Sequence, residues 1–375
     1  MNNAFDPVIQ NPALVRFIQD QVRSPQSFQS AINNQDEMYL FALENQQFPE
    51  RAAVRYYFNG CRILDGVRSI VNWHFQGFER VSRFLDFASG YGRFTRFLIQ
   101  ELPPQKVWVS DILASAVTFQ VTNFQVNGVI SESIPADYPP QAPFDCILAC
   151  SFFSHMPEKT FIDWMRVLYG LIAPGGLLLF SVHDRALLPE HLRIQASALL
   201  FVPASESRSL DVQDYGTTYV GETFVGQVLQ MISQGQASYY RIPQGICRYQ
   251  DLYIVSPSPL ADPSTLNFGH HPQGRLEHCQ LTAEGVLHLK GYISEINPNS
   301  QIEQIGVLVN GNLVHQSPPV LVPQGSGSSW LWSCEFAAPE LVLQDILLVK
   351  AINSRGLEWV FDTAPLGFLQ GISLA

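Results

Sequence analysis

The chain has 375 residues, with 22 lysines and arginines against 33 aspartates and glutamates, for a formal net charge of −11. That length exceeds one ordinary compact core and points to two domains, while the acidic balance and the absence of a dense basic run argue against a nucleic-acid partner. The six cysteines lack paired spacing, and no stretch approaches about 18 uncharged apolar residues, so neither a metal site nor membrane attachment is expected. The N-terminus shows no basic segment followed by an apolar one, and a soluble cytoplasmic protein is expected.

Residues 1–80 read as helical. Ala13–Ile18, Glu37–Leu43, Arg51–Phe58 and Arg62–Phe75 repeat apolar side chains at three-to-four spacing, with Asn59-Gly60 as a break. Residues 81–256 alternate short apolar runs with amphipathic stretches. Strands are expected at Phe84–Phe87, Val107–Val109, Gly128–Ile130, Cys146–Cys150, Leu177–Val182, Thr217–Val220 and Leu252–Val255. Helices are expected at Arg93–Glu101, Ala114–Asn127, Lys159–Leu171 and Glu222–Ser233. Such alternation implies an α/β fold, a mostly parallel seven-stranded sheet with helices on both faces.

Residues 257–275, rich in Pro, Ser, Gly and His, read as a linker. From 276 to 375 the period drops to two, with Asn310-Gly311 between alternating runs as a hairpin signal. This part is expected to be an antiparallel β-sandwich. Trp330 and Trp332 flank Leu331, so at least one tryptophan faces outward if Leu331 is core.

The turn after the first strand, Leu85-Asp86-Phe87-Ala88-Ser89-Gly90-Tyr91-Gly92-Arg93, carries small residues at every second position, which lets backbone approach a ligand. A dinucleotide fingerprint requires G-x-G-x-x-G, and its last glycine is missing here. Asp86 ahead of the glycines would repel a pyrophosphate and accept hydrogen bonds from an ammonium group. Asp111 closes the second strand, where a carboxylate can hold ribose hydroxyls. Ser131 and Glu132 follow the third strand, Ser151 and His155 the fourth, and His183 and Asp184 the fifth.

LDFASGYGR, Asp111, FDCILACSFFSHMP and LIAPGGLLLFSVHD, in that order and spacing, resemble class I S-adenosylmethionine-dependent methyltransferases over about residues 80 to 256. Ala88 departs from the glycine usual there. The resemblance implies S-adenosylmethionine as cofactor. Asp86, Ala88, Gly90 and Gly92 would line its methionine and ribose part, and Asp111 would hold the ribose hydroxyls. Ile112 would lie against the adenine, Ser131 and Glu132 near its edge, and Ser151 by the sulfonium. Residues 1–80 would form a lid, with Tyr56, Tyr57 and Gly60 over the cofactor.

Methyl transfer to a hydroxyl needs a general base at the C-terminal edge of the sheet, and His155 or His183 stands there, with Asp184 as orienter or substitute. His155 can equally pack its loop. The expected acceptor is a small molecule, sugar or glycan. The competing readings are a non-catalytic binding protein that keeps the fold and, less favoured, an NAD-dependent oxidoreductase.

Overall fold

The structure is a computed structural model that describes residues 4–11, 13–195, 197–205, 207–324 and 328–371. The outermost ends of the expected N-terminal segment and β-sandwich thus lie outside the described residues. Contacts divide the chain into two compact units. One comprises residues 33–41 and 59–268, and the other residues 4–32, 42–58 and those from Gly269 on.

The first unit is built on nine strands among the described residues. They are β1 (Phe84–Phe87), β2 (Val107–Asp111), β3 (Asn127–Ile130), β4 (Phe144–Ala149), β5 (Ile172–Asp184), β6 (Leu200–Val202), β7 (Thr217–Val220), β8 (Ser238–Ile246) and β9 (Gln250–Ser256). The order is β8-β9-β5-β4-β1-β2-β3, with β7 beside the end of β5 and β6 on β7. Pairings β1–β2, β1–β4, β2–β3 and β4–β5 are parallel, whereas β9 runs antiparallel to β5 and β8 to β9. The strand order reverses at β1, where connections leave to opposite sides and open a crevice at the carboxyl ends.

Local sequence explains most of these elements. The helices α1 (Ala114–Phe124), α2 (Glu158–Gly170) and α3 (Glu222–Ser233) fill the crossovers. Leu85 and Phe87 face a core shared with Phe161 and Trp164 of α2 and Phe224 of α3, while Phe84 turns the other way against Phe94. This alternation puts Asp86 on the face opposite Leu85 and Phe87. Two strands exceed the expected seven. Arg241, Pro243 and Gly245 interrupt the β8 pattern, and an edge strand tolerates them; its register with β9 shifts between Ile242 and Ile246. β6 spans three residues and, among the described residues, pairs only with β7. Pro174-Gly175-Gly176 bulges β5 against β4. A Cβ at Gly176 would come within 2.8 Å of the Asp145 carbonyl oxygen.

Among its described residues the second unit holds two four-stranded antiparallel sheets. One contains β10 (Gln273–Leu281), β11 (Val286–Ser294), β14 (Val320–Pro323) and β15 (Ser329–Ala337). The other contains β12 (Ile302–Val309), β13 (Asn312–Ser317), β16 (Ile346–Asn353) and β17 (Glu358–Pro365). Asn310 and Gly311, both at positive φ, form the expected hairpin between β12 and β13. The condition for an outward tryptophan is not met: Leu331 is 40% exposed, Trp332 is buried, and Trp330 packs against the core from the inner face. The N-terminal pieces of this unit are tied to it by ion pairs. Arg51 meets Asp362 at 2.6 Å, and the buried Lys350 meets Glu358 at 2.8 Å and Asp20 at 3.4 Å. No helix among the described residues is long and apolar enough to cross a membrane.

Candidate active site

A cavity of about 460 Å³ opens at the carboxyl ends of β1, β2, β3 and β4, within the range that takes a nucleoside-sized ligand. Asp86, Ala88, Gly90, Asp111, Ile112, Ser131, Glu132, Ser151 and His155 all line it. Gly92 and His183 do not.

The loop after β1 is held by the strand next to it. The Asp111 carboxylate accepts the Gly90 N–H at 2.8 Å and the Leu113 N–H at 2.9 Å, so one side chain fixes two turns. Ala88 has φ +55, a left-handed conformation that glycine adopts without strain and alanine does not. Gly90 and Gly92 share the left-handed conformation at φ +55 and +82, so Ala88 is the position of this loop where a Cβ bears that backbone penalty. Gly92 serves packing instead. A Cβ there would lie 2.3 Å from the Phe124 ring and 2.8 Å from Gln120, so its absence seats α1 on the loop. The Gln120 amide in turn donates to the Gly90 carbonyl and to Ser89 Oγ, both at 2.8 Å.

Asp86 is almost wholly buried and accepts a hydrogen bond from the Thr95 hydroxyl at 2.6 Å. Burial pushes its carboxyl up to about 7; the Thr95 bond and Arg93 oppose this, and the charge of Asp111 reinforces it. Burial likewise raises Asp111, against the two backbone N–H bonds it accepts. Among the described lining residues, Asp36, Glu37, Asp86, Asp111, Glu132, Asp211 and Asp214 face a single cation, Arg93. Such a wall favours a positively charged ligand.

Most of the far wall carries no motif. Asp36, Glu37 and Met38 come from the N-terminal region, and Ser207, Ser209, Leu210, Asp211, Asp214 and Tyr215 from the long connection ahead of β7. Glu37 joins them, accepting from Ser207 Oγ at 2.9 Å and from the Arg208 N–H at 3.2 Å. Tyr91 hydrogen-bonds Ser115 at 2.8 Å and Gln35 at 3.2 Å. Of the suggested lid residues, Tyr56 and Tyr57 are buried against each other and Gly60 lets its helix approach the Arg93 carbonyl; none lines the cavity.

The two histidines differ. His155 stacks on Tyr215 with ring centroids 4.4 Å apart, and its Nδ1 lies 2.6 Å from the Gly216 carbonyl oxygen. A carbonyl only accepts, so Nδ1 carries the proton and Nε2 holds the lone pair. Its loop is knitted to β7, with Gly216 N–H on the His155 carbonyl and Thr218 N–H on Ser154. His183, also buried, has its Nε2 3.1 Å from the Gln250 amide nitrogen. Asp184 does not orient it; that carboxylate pairs with Arg241 at 3.0 Å, which also binds Asp251 and Glu222. Cys146 is fully buried, whereas Cys150 borders the cavity.

Residues 58–231 match a family model described as a methyltransferase domain. This part of the chain is thus similar to a methyltransferase domain, and an all-β region follows it. Distant likenesses exist among solved structures. An S-adenosylmethionine-dependent methyltransferase from Clostridium acetobutylicum has 13% identity, with 55% of this chain and 92% of that one covered and a TM-score of 0.38. An O-methyltransferase family protein from Burkholderia thailandensis has 15% identity, coverages of 57% and 63%, and a TM-score of 0.37. The plantazolicin methyltransferase BpumL, in complex with a pentazolic desmethylPZN analog and SAH, has 13% identity, coverages of 67% and 99%, and a TM-score of 0.42. No curated protein matches the chain.

Proposed function

We propose that the protein transfers the methyl group of S-adenosylmethionine to a hydroxyl group of a small molecule, with His155 as general base. The observation that supports this most is a single cavity that joins Asp86, Ala88, Gly90 and Asp111 to a histidine whose Nε2 bears the lone pair. Asp86 is read as the partner of the cofactor's ammonium and Asp111 as that of its ribose hydroxyls. Ile112, Ser131 and Glu132 are read as the adenine site, and Ser151 as the sulfonium end. Gly92 is assigned the packing of this wall rather than contact.

The residues fit such a ligand. S-adenosylmethionine carries a sulfonium and an ammonium, and seven carboxylates against one arginine suit that charge. The same wall disfavours the pyrophosphate of NAD. Bound there, the cofactor supplies an electrophilic methyl group. The chain's own task is to orient the acceptor oxygen in line with that group, exclude water and take the proton. Proton transfer to His155 Nε2 as the C–O bond forms leaves an imidazolium whose Nδ1–H stays on the Gly216 carbonyl. Tyr215 stacked on the ring restricts its rotation. His183, which does not line the cavity, is read as a supporting residue.

Incubation with methyl-labelled S-adenosylmethionine and a panel of alcohols, catechols, sugars and carboxylates tests the proposal. Label should pass to a hydroxyl compound, and His155→Ala should suppress it while binding of S-adenosylhomocysteine persists. Cofactor binding with no transfer across the panel would support a non-catalytic binding protein instead.

A further inference from the structure

Behind Ser151, out of the cavity, lies a buried set of polar side chains that take no direct part in the proton transfer above. Ser151 has φ +56, a left-handed backbone that a non-glycine residue holds only when its surroundings enforce it. Its N–H donates to Ser181 Oγ at 2.7 Å, and its hydroxyl donates to Gln250 Oε1 at 3.1 Å. The Ser181 hydroxyl donates to the same Oε1 at 2.6 Å. The Gln250 amide nitrogen faces Ser154 Oγ at 3.4 Å and His183 Nε2 at 3.1 Å. Gln250 itself is buried and is not among the cavity-lining residues.

Direction follows from donors and acceptors. Ser181 Oγ already accepts the Ser151 N–H, so its own hydrogen points to Gln250, which sets the amide oxygen toward the two serines. Ser151 also directs its hydrogen there. The weaker thiol contact from Cys150, at 3.8 Å, does not compete with an amide oxygen. With its hydrogen committed backward, Ser151 presents oxygen lone pairs to the cavity.

We propose that Gln250 is a positioning residue, acting through Ser151 to present oxygen lone pairs to the cofactor's positive sulfonium. The inference rests on the cofactor reading above, in which Ser151 stands at the sulfonium end. An acceptor oxygen aimed at a cation stabilises S-adenosylmethionine and does little for the neutral thioether of S-adenosylhomocysteine. Gln250 therefore sets discrimination between donor and product, which a merely structural amide would not touch.

The test is the ratio of dissociation constants for S-adenosylmethionine and S-adenosylhomocysteine, measured calorimetrically on the full chain. Gln250→Met should shift the ratio at least threefold against S-adenosylmethionine. Ser151→Ala should do the same, and the double variant should add less than a further twofold, because both act through one hydroxyl. A ratio within threefold of the unmodified chain, or effects that multiply in the double variant, would overturn the proposal. Melting curves establish that Gln250→Met is folded. If it is not, Ser151→Ala carries the test alone, and an unchanged ratio there overturns it. Failure of the unmodified chain to bind either ligand would instead remove the cofactor reading.

Discussion

The two walls of the cavity are built in different ways. The wall of Asp86, Gly90, Asp111, Ser131 and Ser151 stands on the ends of four neighbouring parallel strands, so the spacing of strands sets the spacing of side chains. The wall of Asp36, Glu37, Asp211, Asp214 and Tyr215 comes from two stretches some 170 residues apart in sequence, bridged by Glu37 to Ser207 and to the Arg208 N–H. The first wall is fixed by a sheet and the second by hydrogen bonds between loops and the stack of Tyr215 on His155. A rigid sheet suits a cofactor common to a whole class, and a loop-built wall suits an acceptor particular to one protein.

Substitutions that separate the walls test this contrast. The largest expected effect is on turnover. His155→Ala should lower methyl transfer by roughly 10²–10⁴-fold, the ordinary worth of a general base, and leave S-adenosylhomocysteine affinity within about threefold. Next is Asp86→Asn, which should weaken S-adenosylhomocysteine by about 10–100-fold, the loss of one charge-assisted hydrogen bond.

Asp86 also sets a pH dependence. Its folded value near 7 lies above the ordinary aspartate range, so the protonated carboxyl favours the fold at low pH. That contribution is lost as pH rises through about 7. Asp86→Asn should therefore melt higher than the unmodified chain at pH 8, and by less at pH 5. S-adenosylhomocysteine, whose ammonium is read as preferring the carboxylate, should bind the unmodified chain more tightly at pH 8 than at pH 6. The Asn variant should show no such rise. On the loop-built wall, Glu37→Gln should raise the acceptor KM a few-fold, with cofactor affinity little changed, as expected of one partly exposed contact. Smallest is Ala88→Gly, which relieves a left-handed alanine and should stabilise the chain by about 0.5–1 kcal/mol in denaturant unfolding.

Much of the first wall was readable because its residues follow apolar runs at strand ends. Asp86, Asp111, Ser131 and Ser151 were placed by counting, and Ala88 stood out as a missing glycine. Its φ was not readable, since nothing local distinguishes a loop that evades strain from one that accepts it. Gly92 misled, because a glycine that admits a ligand and a glycine that admits Phe124 look alike in sequence. The second wall left no periodic trace: Ser207–Asp214 is a polar stretch, and Asp36–Met38 opens an ordinary helical pattern. In the sandwich, the alternation of Trp330, Leu331 and Trp332 was visible but its phase was not. β8 was hidden by Arg241, Pro243 and Gly245, which only an edge strand accommodates.

The central claim is that the sheet-built wall binds an amino-acid-bearing nucleoside through Asp111. Calorimetric titration of the full chain with S-adenosylhomocysteine, alongside Asp111→Ala, tests it most directly. The account predicts saturable binding with a stoichiometry of one, weakened by roughly 10²–10⁴-fold in the variant, as two charge-assisted hydrogen bonds to ribose would require. No heat of binding near millimolar ligand, or equal affinity in the variant, would contradict it.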